Sequence, residues 1–217
     1  DRPLDAPVVV VADVRLALSR AAARFHPLQP ATIAAVTGTS GKTSIAAFLR
    51  QIWLFCGRQA ASMGTIGVVA PSGAVYGSLT TPDSITLHET LEKLAQDGVT
   101  HLAMEASSHG LDQRRLDGVR LAAAAFTNLS RDHLDYHATL DDYLSAKLRL
   151  FEALLQPGQP AIIDADTDIA GKVIAACEAR GLDVRTIGRK GHAIRLIERA
   201  PEGFATRLTL ECEGKVS

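Results

Sequence analysis

The chain has 217 residues, of which 47% are hydrophobic and 22% are charged, and its formal net charge at pH 7 is −1. This composition is typical of a globular protein of one or two domains, and the charge gives no reason to expect a nucleic acid or an anionic membrane as partner. No apolar run approaches the roughly 20 residues of a membrane span. Cys56, Cys177 and Cys212 lack metal-ligand spacing and are expected to be small core residues in a reducing compartment, which predicts a cytoplasmic location.

The first 30 residues are expected to be the tail of a preceding domain and a linker. Residues 8–12 read Val-Val-Val-Val-Ala, which predicts a buried strand, and residues 15–25 predict a helix. Pro27 and Pro30 then interrupt the helical pattern and suit a linker. The opening residues include acids and lack an apolar core, so no signal peptide is expected.

A phosphate-binding loop is predicted at residues 37–44, which read Thr-Gly-Thr-Ser-Gly-Lys-Thr-Ser between an apolar strand and an apolar helix. Gly38 and Gly41 allow a tight turn that directs backbone N–H groups at one anion. Lys42 adds a positive charge for phosphates, and the Thr43 hydroxyl is placed to ligate Mg²⁺. The general motif has a further glycine where this chain has Val36, so a glycine-rich turn with an incidental lysine stays open as the alternative.

Strand and helix patterns alternate after this loop, which predicts an α/β fold with a mostly parallel sheet flanked by helices. Strands are expected at residues 59–69 with a hairpin to 74–76, and at 99–104, 121–126, 160–164 and 183–187. Helices are expected at residues 84–96, at 140–155 behind a capping box of Thr139 and Asp142, and up to about Arg180.

The end of the chain has a different pattern. Residues 193–197 and 204–212 predict a small antiparallel element, and residues 213–215 predict a turn. The return strand is expected beyond the last residue. Residues 31–217 are therefore expected to form one domain that is truncated at its C-terminal end.

Two polar segments follow predicted strands: residues 105–115 follow strand 99–104, and residues 127–137 follow strand 121–126. Ligands of open α/β sheets bind beyond the carboxyl ends of the strands, so both segments are expected beside the phosphate loop. Glu105 is then placed to hold the Mg²⁺ of a nucleotide, with a surface carboxylate as the alternative.

Two patterns in this region have competing interpretations. His133 and His137 are four residues apart, as in a zinc pair on a helix, but the glutamate of the usual zinc motif and a third ligand are missing. Lys147 lies among leucines in a predicted helix, where a surface lysine with a buried stem is the ordinary interpretation.

Five segments in order resemble the central domain of the Mur ligases, most closely the tripeptide synthetase type. They are Val36-Thr-Gly-Thr-Ser-Gly-Lys-Thr43, Thr80-Thr-Pro-Asp83, Met104-Glu-Ala-Ser-Ser-His109, residues 127–137 and Ala146-Lys147. The loop of that family lacks the extra glycine, which accounts for Val36. The resemblance implies a P-loop-type fold and a monomeric, ATP-dependent, amide-forming ligase.

The activity that the resemblance implies is addition of an amino acid, meso-diaminopimelate or L-lysine, to UDP-N-acetylmuramoyl-L-alanyl-D-glutamate through an acyl phosphate. This reaction belongs to peptidoglycan precursor synthesis, and hence to cell shape and division. The 217-residue chain by itself is expected to be inactive.

The resemblance also implies roles for individual residues. ATP would be bound by Gly38, Thr39, Ser40, Gly41, Lys42, Thr43, Ser44 and Asn128. Mg²⁺ would be held by Thr43, Glu105, His133 and Lys147, with Lys147 carbamylated by CO₂. The UDP-muramoyl dipeptide would contact Thr80, Thr81, Ser107, Gln113 and Arg115. The catalytic set would be Lys42, Glu105, His133 and Lys147.

Two rival interpretations remain at this point. One is another ligase of the same superfamily, such as a folylpolyglutamate synthetase or the ligase of a different Mur step, although Thr80-Thr-Pro82 and residues 132–137 argue against it. The other is a nucleotide-binding module without catalytic activity.

Overall fold

The fold is that of a computed structural model, which describes residues 8–77, 79–132 and 135–216. The helices are α1 (Val14–Phe25), α2 (Lys42–Phe55), α3 (Ser84–Gln96), α4 (Ser108–Asp112), α5 (Leu140–Arg149) and α6 (Ala170–Ala179). The strands are β1 (Thr32–Thr37), β2 (Ala60–Gly64), β3 (Gly67–Ala70), β4 (Gly73–Val75), β5 (His101–Glu105), β6 (Ala123–Phe126), β7 (Pro160–Asp164), β8 (Asp183–Gly188), β9 (Ile194–Glu202), β10 (Ala205–Cys212) and β11 (Lys215–Val216).

All the described strands join one sheet in the order β4-β3-β2-β5-β1-β6-β7-β8-β9-β10-β11. The strands from β2 to β8 in this order pair in parallel, while β2-β3-β4 and β9-β10-β11 pair antiparallel. The predicted α/β class, with its mostly parallel sheet and an antiparallel element near the C-terminus, is therefore confirmed.

Successive side chains of the central strands point to opposite faces of the sheet, and apolar side chains on both faces are buried. On one face Val36, Ala103 and Ala125 pack against Ala46, Leu49 and Trp53 of α2. The other face carries the larger core, in which strand residues such as Ile33, Leu102 and Phe126 meet apolar side chains of α3, α5 and α6. The described helices thus form a layer on each side of the sheet.

The register of the central strands places the polar segments. In β1, Val36 pairs with Glu105 at the end of β5, and Thr37 pairs with Phe126 at the end of β6. Three parallel strands therefore end at the same level, and the segments that follow them meet at one edge of the sheet.

Five expectations about local structure are wrong. The strand expected over residues 59–69 is divided by a turn at residues 65–66 into the antiparallel strands β2 and β3. Residues 8–12 form no strand, and Val8, Val9 and Val10 are 66%, 81% and 92% exposed, because no described strand pairs with them. The return strand begins within the chain, as β11. Cys177 is buried, but Cys56 and Cys212 are exposed at the ends of α2 and β10.

The fifth concerns the helix expected over residues 140–155. It begins at Leu140, where the Thr139 hydroxyl accepts a hydrogen bond from the Asp142 N–H at 3.1 Å, as the capping pattern predicts. After Arg149 the chain changes to a π-helical turn, Leu150–Leu154. Within the described ranges, no helix is both long and apolar enough to cross a membrane.

A charged network joins the C-terminal end of α5 to the segment between α4 and β6. The Arg149 guanidinium donates to both oxygens of Asp117, at 3.2 and 3.3 Å, and to the Leu111 carbonyl. The two charged side chains are only 19% and 10% exposed. The Asp117 carbonyl also accepts from the Ser19 hydroxyl, which ties α1 to the same segment.

We predict that Arg149→Ala lowers the free energy of unfolding by about 3 kcal/mol, because it leaves the Asp117 carboxylate largely buried without its main partner. The matched control is Arg207→Ala, which removes an ion pair whose side chains are 68% and 57% exposed, and this change is expected to cost about 0.5 kcal/mol. Urea unfolding of the two variants measures the difference. Equal costs would contradict the structural role of Arg149.

Candidate active site

The loop after β1 has a conformation that requires glycine at two positions. Gly38 and Gly41 have φ angles of 141° and 87°. A Cβ on Gly38 would lie 1.9 Å from the Thr127 Oγ1, so a side chain has no room there. Gly41 is the N-cap of α2, and the unpaired N–H groups of the first turn of this helix follow directly on the loop amides. Thr43 and the exposed Ser44 belong to that first turn.

The segment after β6 fixes the shape of the loop. Asn128 accepts hydrogen bonds from the Thr39 N–H with its carbonyl and from the Ser40 N–H with its Oδ1, both at 2.9 Å. The Thr127 hydroxyl donates to the Ser40 carbonyl at 2.7 Å. The Asn128 side chain thus holds the loop backbone, and its expected contact with the nucleotide stays a prediction.

Two lysines converge on one carbonyl of this loop. The Lys42 Nζ donates to the carbonyl oxygens of Gly38 and Thr39, both at 2.9 Å, and the Lys147 Nζ donates to the same Gly38 oxygen at 2.8 Å. Lys147 is only 1% exposed and lies 4.2 Å from the centre of the Tyr143 ring. The interpretation of Lys147 as a surface lysine is therefore wrong.

Burial lowers the pKa of both lysines, and the charge of Lys42 lowers that of Lys147 further. Burial, and then the neighbouring charge of Lys42, lowers the pKa of Lys147 to about 7, against an opposing effect of Asp132. Burial also lowers the pKa of Lys42, and the carboxylates of Glu105 and Asp132 oppose this shift. A substantial fraction of Lys147 is thus neutral at neutral pH.

Glu105 is a buried carboxylate at the end of β5, with 1% of its surface exposed, so the surface alternative is wrong. Its Oε1 accepts the Thr65 N–H at 2.9 Å, and its Oε2 accepts the Thr65 hydroxyl at 3.2 Å. Each carboxylate oxygen has two acceptor positions, so one on each remains for a further partner.

The described residues fit Mg²⁺ better than a transition metal. They contain no group of three or more His, Cys, Asp or Glu side chains that could hold a metal ion. Mg²⁺ needs only one or two protein oxygens beside phosphates and water, and Glu105 and Thr43 offer hard oxygen donors near the loop. His133 lies outside the described residues, so its metal role, and the zinc alternative, stay predictions.

A cavity of about 230 Å³ lies beside Glu105. Four of the five residues expected to contact the substrate line this cavity: Thr80, Thr81, Ser107 and Arg115. Leu79 and His109 complete its lining. The fifth, Gln113, accepts two hydrogen bonds from the Arg115 guanidinium, at 3.2 and 2.7 Å, and so orients it.

Thr81 has a role that the sequence did not indicate. Its hydroxyl donates to the Glu105 carbonyl at 3.1 Å and accepts from the N–H and the hydroxyl of Ser107, both at 3.0 Å. A hydroxyl has one proton and two acceptor positions, so all three positions are used within the protein. Thr81 therefore holds the cavity wall together, while Thr80 keeps hydrogen-bonding capacity for a ligand.

Sequence reasoning missed three contributors to this site: Thr65, His109 and Tyr143. The ring centroids of His109 and Tyr136 are 4.0 Å apart, and Tyr143 contacts Thr39 of the loop through their hydroxyls, at 3.4 Å. No signal in the sequence indicated Thr65, because the strand expected over residues 59–69 includes it, whereas in the structure it directly follows the parallel strand β2.

Comparison with known proteins places most of the chain in one protein family. Residues 36–213 match the Mur ligase middle domain. The chain is 60% identical over 213 residues to the UDP-N-acetylmuramoyl-L-alanyl-D-glutamate–2,6-diaminopimelate ligase of Bradyrhizobium diazoefficiens, and the match covers 96% of this chain and 44% of that protein. The chain thus spans less than half the length of this curated relative.

Solved structures agree. A structure of a protein with the same ligase name superposes with a TM-score of 0.85 at 30% identity, covering 96% of this chain and 44% of that one. The apo form of L. casei FPGS superposes with a TM-score of 0.73 at 14% identity, covering 97% of this chain and 57% of that one, which shows a shared fold alone. The resemblance found in the sequence is confirmed: the chain belongs to the Mur ligase middle domain family.

Proposed function

We propose that this chain forms the ATP-binding and carboxylate-activating part of a ligase that joins 2,6-diaminopimelate to UDP-N-acetylmuramoyl-L-alanyl-D-glutamate. The observation that carries the proposal is the convergence of Lys42 and Lys147 on the Gly38 carbonyl, beside buried Glu105 and the cavity that contains Arg115. The names of the relatives favour diaminopimelate over L-lysine, and the superfamily rival, folylpolyglutamate synthesis, has only the shared fold in its favour.

The reaction proceeds in two displacements. The side-chain carboxylate of D-glutamate attacks the γ-phosphorus of ATP, an O–P bond forms, and the bond to the β,γ-bridging oxygen breaks to release ADP. The amine of the incoming amino acid then attacks the acyl carbon, a C–N bond forms, and the C–O bond to phosphate breaks with loss of the amine proton. Both steps bring anions together, so positioned positive charge is the main requirement.

The residues divide this task. Lys42 and the loop N–H groups would bind the phosphates, while Thr43 and Glu105, together with His133, would hold Mg²⁺. Bound Mg²⁺ would neutralise charge between the triphosphate and the attacking carboxylate. Arg115, whose guanidinium is held by Gln113 and by the Thr81 carbonyl, orients an anionic group of the dipeptide in the cavity.

Lys147 is proposed to react with CO₂. Its neutral amine forms an N–C bond and releases one proton, which leaves an anionic carbamate. The anionic carbamate would attract the Lys42 ammonium, whereas the Lys147 ammonium repels it. The carbamate nitrogen keeps one N–H, which can still donate to the Gly38 carbonyl.

The separation of residues 1–30 from the domain, the monomeric state and the cytoplasmic location stay predictions.

The chain spans 44% of a full-length relative. The assay that tests the function therefore uses a full-length ligase in which this sequence forms the corresponding part. We expect ADP release and amide formation with UDP-muramoyl dipeptide and diaminopimelate, and little product with L-lysine. The 217-residue chain by itself is expected to bind ATP without turnover. Absence of product with either amino acid, despite ATP binding, would favour the nucleotide-binding module instead.

We predict that Lys42→Ala lowers kcat in that protein by about 100- to 1000-fold, since it removes the charge that faces the transferred phosphoryl group. The matched control is Lys172→Ala on α6, which removes a lysine whose side chain is 67% exposed and is expected to leave the rate unchanged. Circular dichroism checks that both variants are folded. Near-normal turnover of Lys42→Ala at saturating ATP would refute the phosphate-loop assignment.

We predict that Lys147→Ala is nearly inactive and that added acetate, a small carboxylate, restores part of the rate. Lys147→Arg keeps a cation but cannot form the carbamate, so acetate should not rescue it. In the unmutated protein, ¹³C-bicarbonate should give a carbamate NMR signal that grows as the pH rises through about 7, where the Lys147 amine loses its proton. Full activity of Lys147→Ala would show that no carbamate is needed.

A further inference from the structure

Thr65 contacts both parts of the candidate site. It lies in the two-residue turn between β2 and β3, where its N–H and hydroxyl donate to the two oxygens of Glu105, at 2.9 and 3.2 Å. The same hydroxyl is 3.1 Å from the Thr80 Oγ1, and Thr80 lines the cavity proposed for the dipeptide. One side chain therefore bridges the candidate metal carboxylate and the candidate substrate cavity.

Packing fixes the position of this turn. A Cβ on Gly64 would lie 2.0 Å from the Glu105 Oε1, so the β2 strand end rests directly against the carboxylate. At the other end of the turn, Gly67 has a φ of 88°, and a Cβ there would lie 2.2 Å from the Val75 carbonyl oxygen. Because both flanking residues are held this closely, Thr65 stays within reach of both partners.

The direction of the hydrogen bonds follows from the number of protons. The Thr65 hydroxyl has one proton, and a carboxylate accepts hydrogen bonds more strongly than another hydroxyl does. The Thr65 proton therefore goes to Glu105, and the contact between the two threonines is formed by the Thr80 O–H donating to Thr65. The Thr80 hydroxyl then has no proton left for a ligand, so it offers the cavity only hydrogen-bond acceptor positions.

We propose that Thr65 is a positioning residue that makes Thr80 a hydrogen-bond acceptor and thereby selects a donor group of the substrate at this point of the cavity. The inference rests on the function proposed above. The chemistry that fits Thr80 is an amide N–H or a hydroxyl of the UDP-muramoyl dipeptide, and the anionic groups go to Arg115. The cavity then binds a hydrogen-bond donor of its ligand at Thr80 and an anionic group at Arg115. Glu105 determines the preference at Thr80, because it accepts the hydrogen bond that the Thr65 hydroxyl donates.

Calorimetric binding of the UDP-muramoyl dipeptide to the full-length protein tests the proposal without turnover. Thr80→Val removes the acceptor and is expected to weaken binding about fivefold to tenfold. Thr65→Val leaves the Glu105–N–H contact and every cavity side chain in place, yet is expected to weaken binding by a similar factor. The double variant should bind no more weakly than Thr80→Val, since Thr65 acts through Thr80. Thr65→Ser, which keeps the hydroxyl, should restore binding.

The matched control is Thr100→Val, which removes a hydroxyl that donates to the Gln59 carbonyl just before β5, at the end of this strand opposite to Glu105. It should leave dipeptide binding unchanged, and thermal unfolding should show that the Thr65 variants remain folded. Unchanged binding by Thr65→Val, or additive losses in the double variant, would overturn the role of Thr65 while leaving the proposed function in place. Failure of the unmutated protein to bind the dipeptide would overturn both.

Discussion

The carbonyl oxygen of Gly38 is the point on which the candidate site depends. It accepts hydrogen bonds from Lys42 and Lys147, which arrive from different helices, and the glycine itself is pressed against Thr127 so closely that no side chain fits. One acceptor thus brings two ammonium groups together in a largely buried place. Such an arrangement is unfavourable unless an anion is added or a proton is lost, and the lowered pKa of Lys147 is the second of these responses.

The end of β5 contributes the negative charge that faces Lys42. Glu105 is held at its carboxylate by Thr65 and at its carbonyl by Thr81, so both its charge and its backbone are fixed. The candidate metal site and the candidate substrate cavity therefore share a wall. Binding of an anionic ligand on either side of this wall would change the electrostatic environment of the other side, which suits the proposed reaction between a carboxylate and a triphosphate.

The fold and the position of the site could be predicted from the sequence because both follow from local patterns. The glycines at 38 and 41 require a tight turn, and the strands before Lys42, Glu105 and Asn128 are short apolar runs whose parallel pairing brings their ends together. The exposure of residues 8–10 was not predictable, because an apolar run does not say which strand it pairs with.

Other features depend on contacts between distant residues. Lys147 has the local spacing of a surface lysine, and its burial results from packing against a loop at the other end of the domain sequence. Thr65 belongs to none of the recognised segments, and only the sheet order places β2 next to β5. The π-helical turn after Arg149 likewise has no pattern that distinguishes it from a continuing α-helix.

The contact between Lys147 and Gly38 closes a separation of 109 residues, and it forms only when α5 has packed against the loop after β1. In an unfolded chain the same lysine has the ordinary basicity of an amine in water, near pKa 10.4, and is almost wholly protonated at neutral pH. Folding therefore raises the fraction of this amine that is neutral and nucleophilic at neutral pH. Before its long-range contacts form, the amine stays almost wholly protonated, so its neutral fraction reports on the packing of α5 against the loop at Gly38.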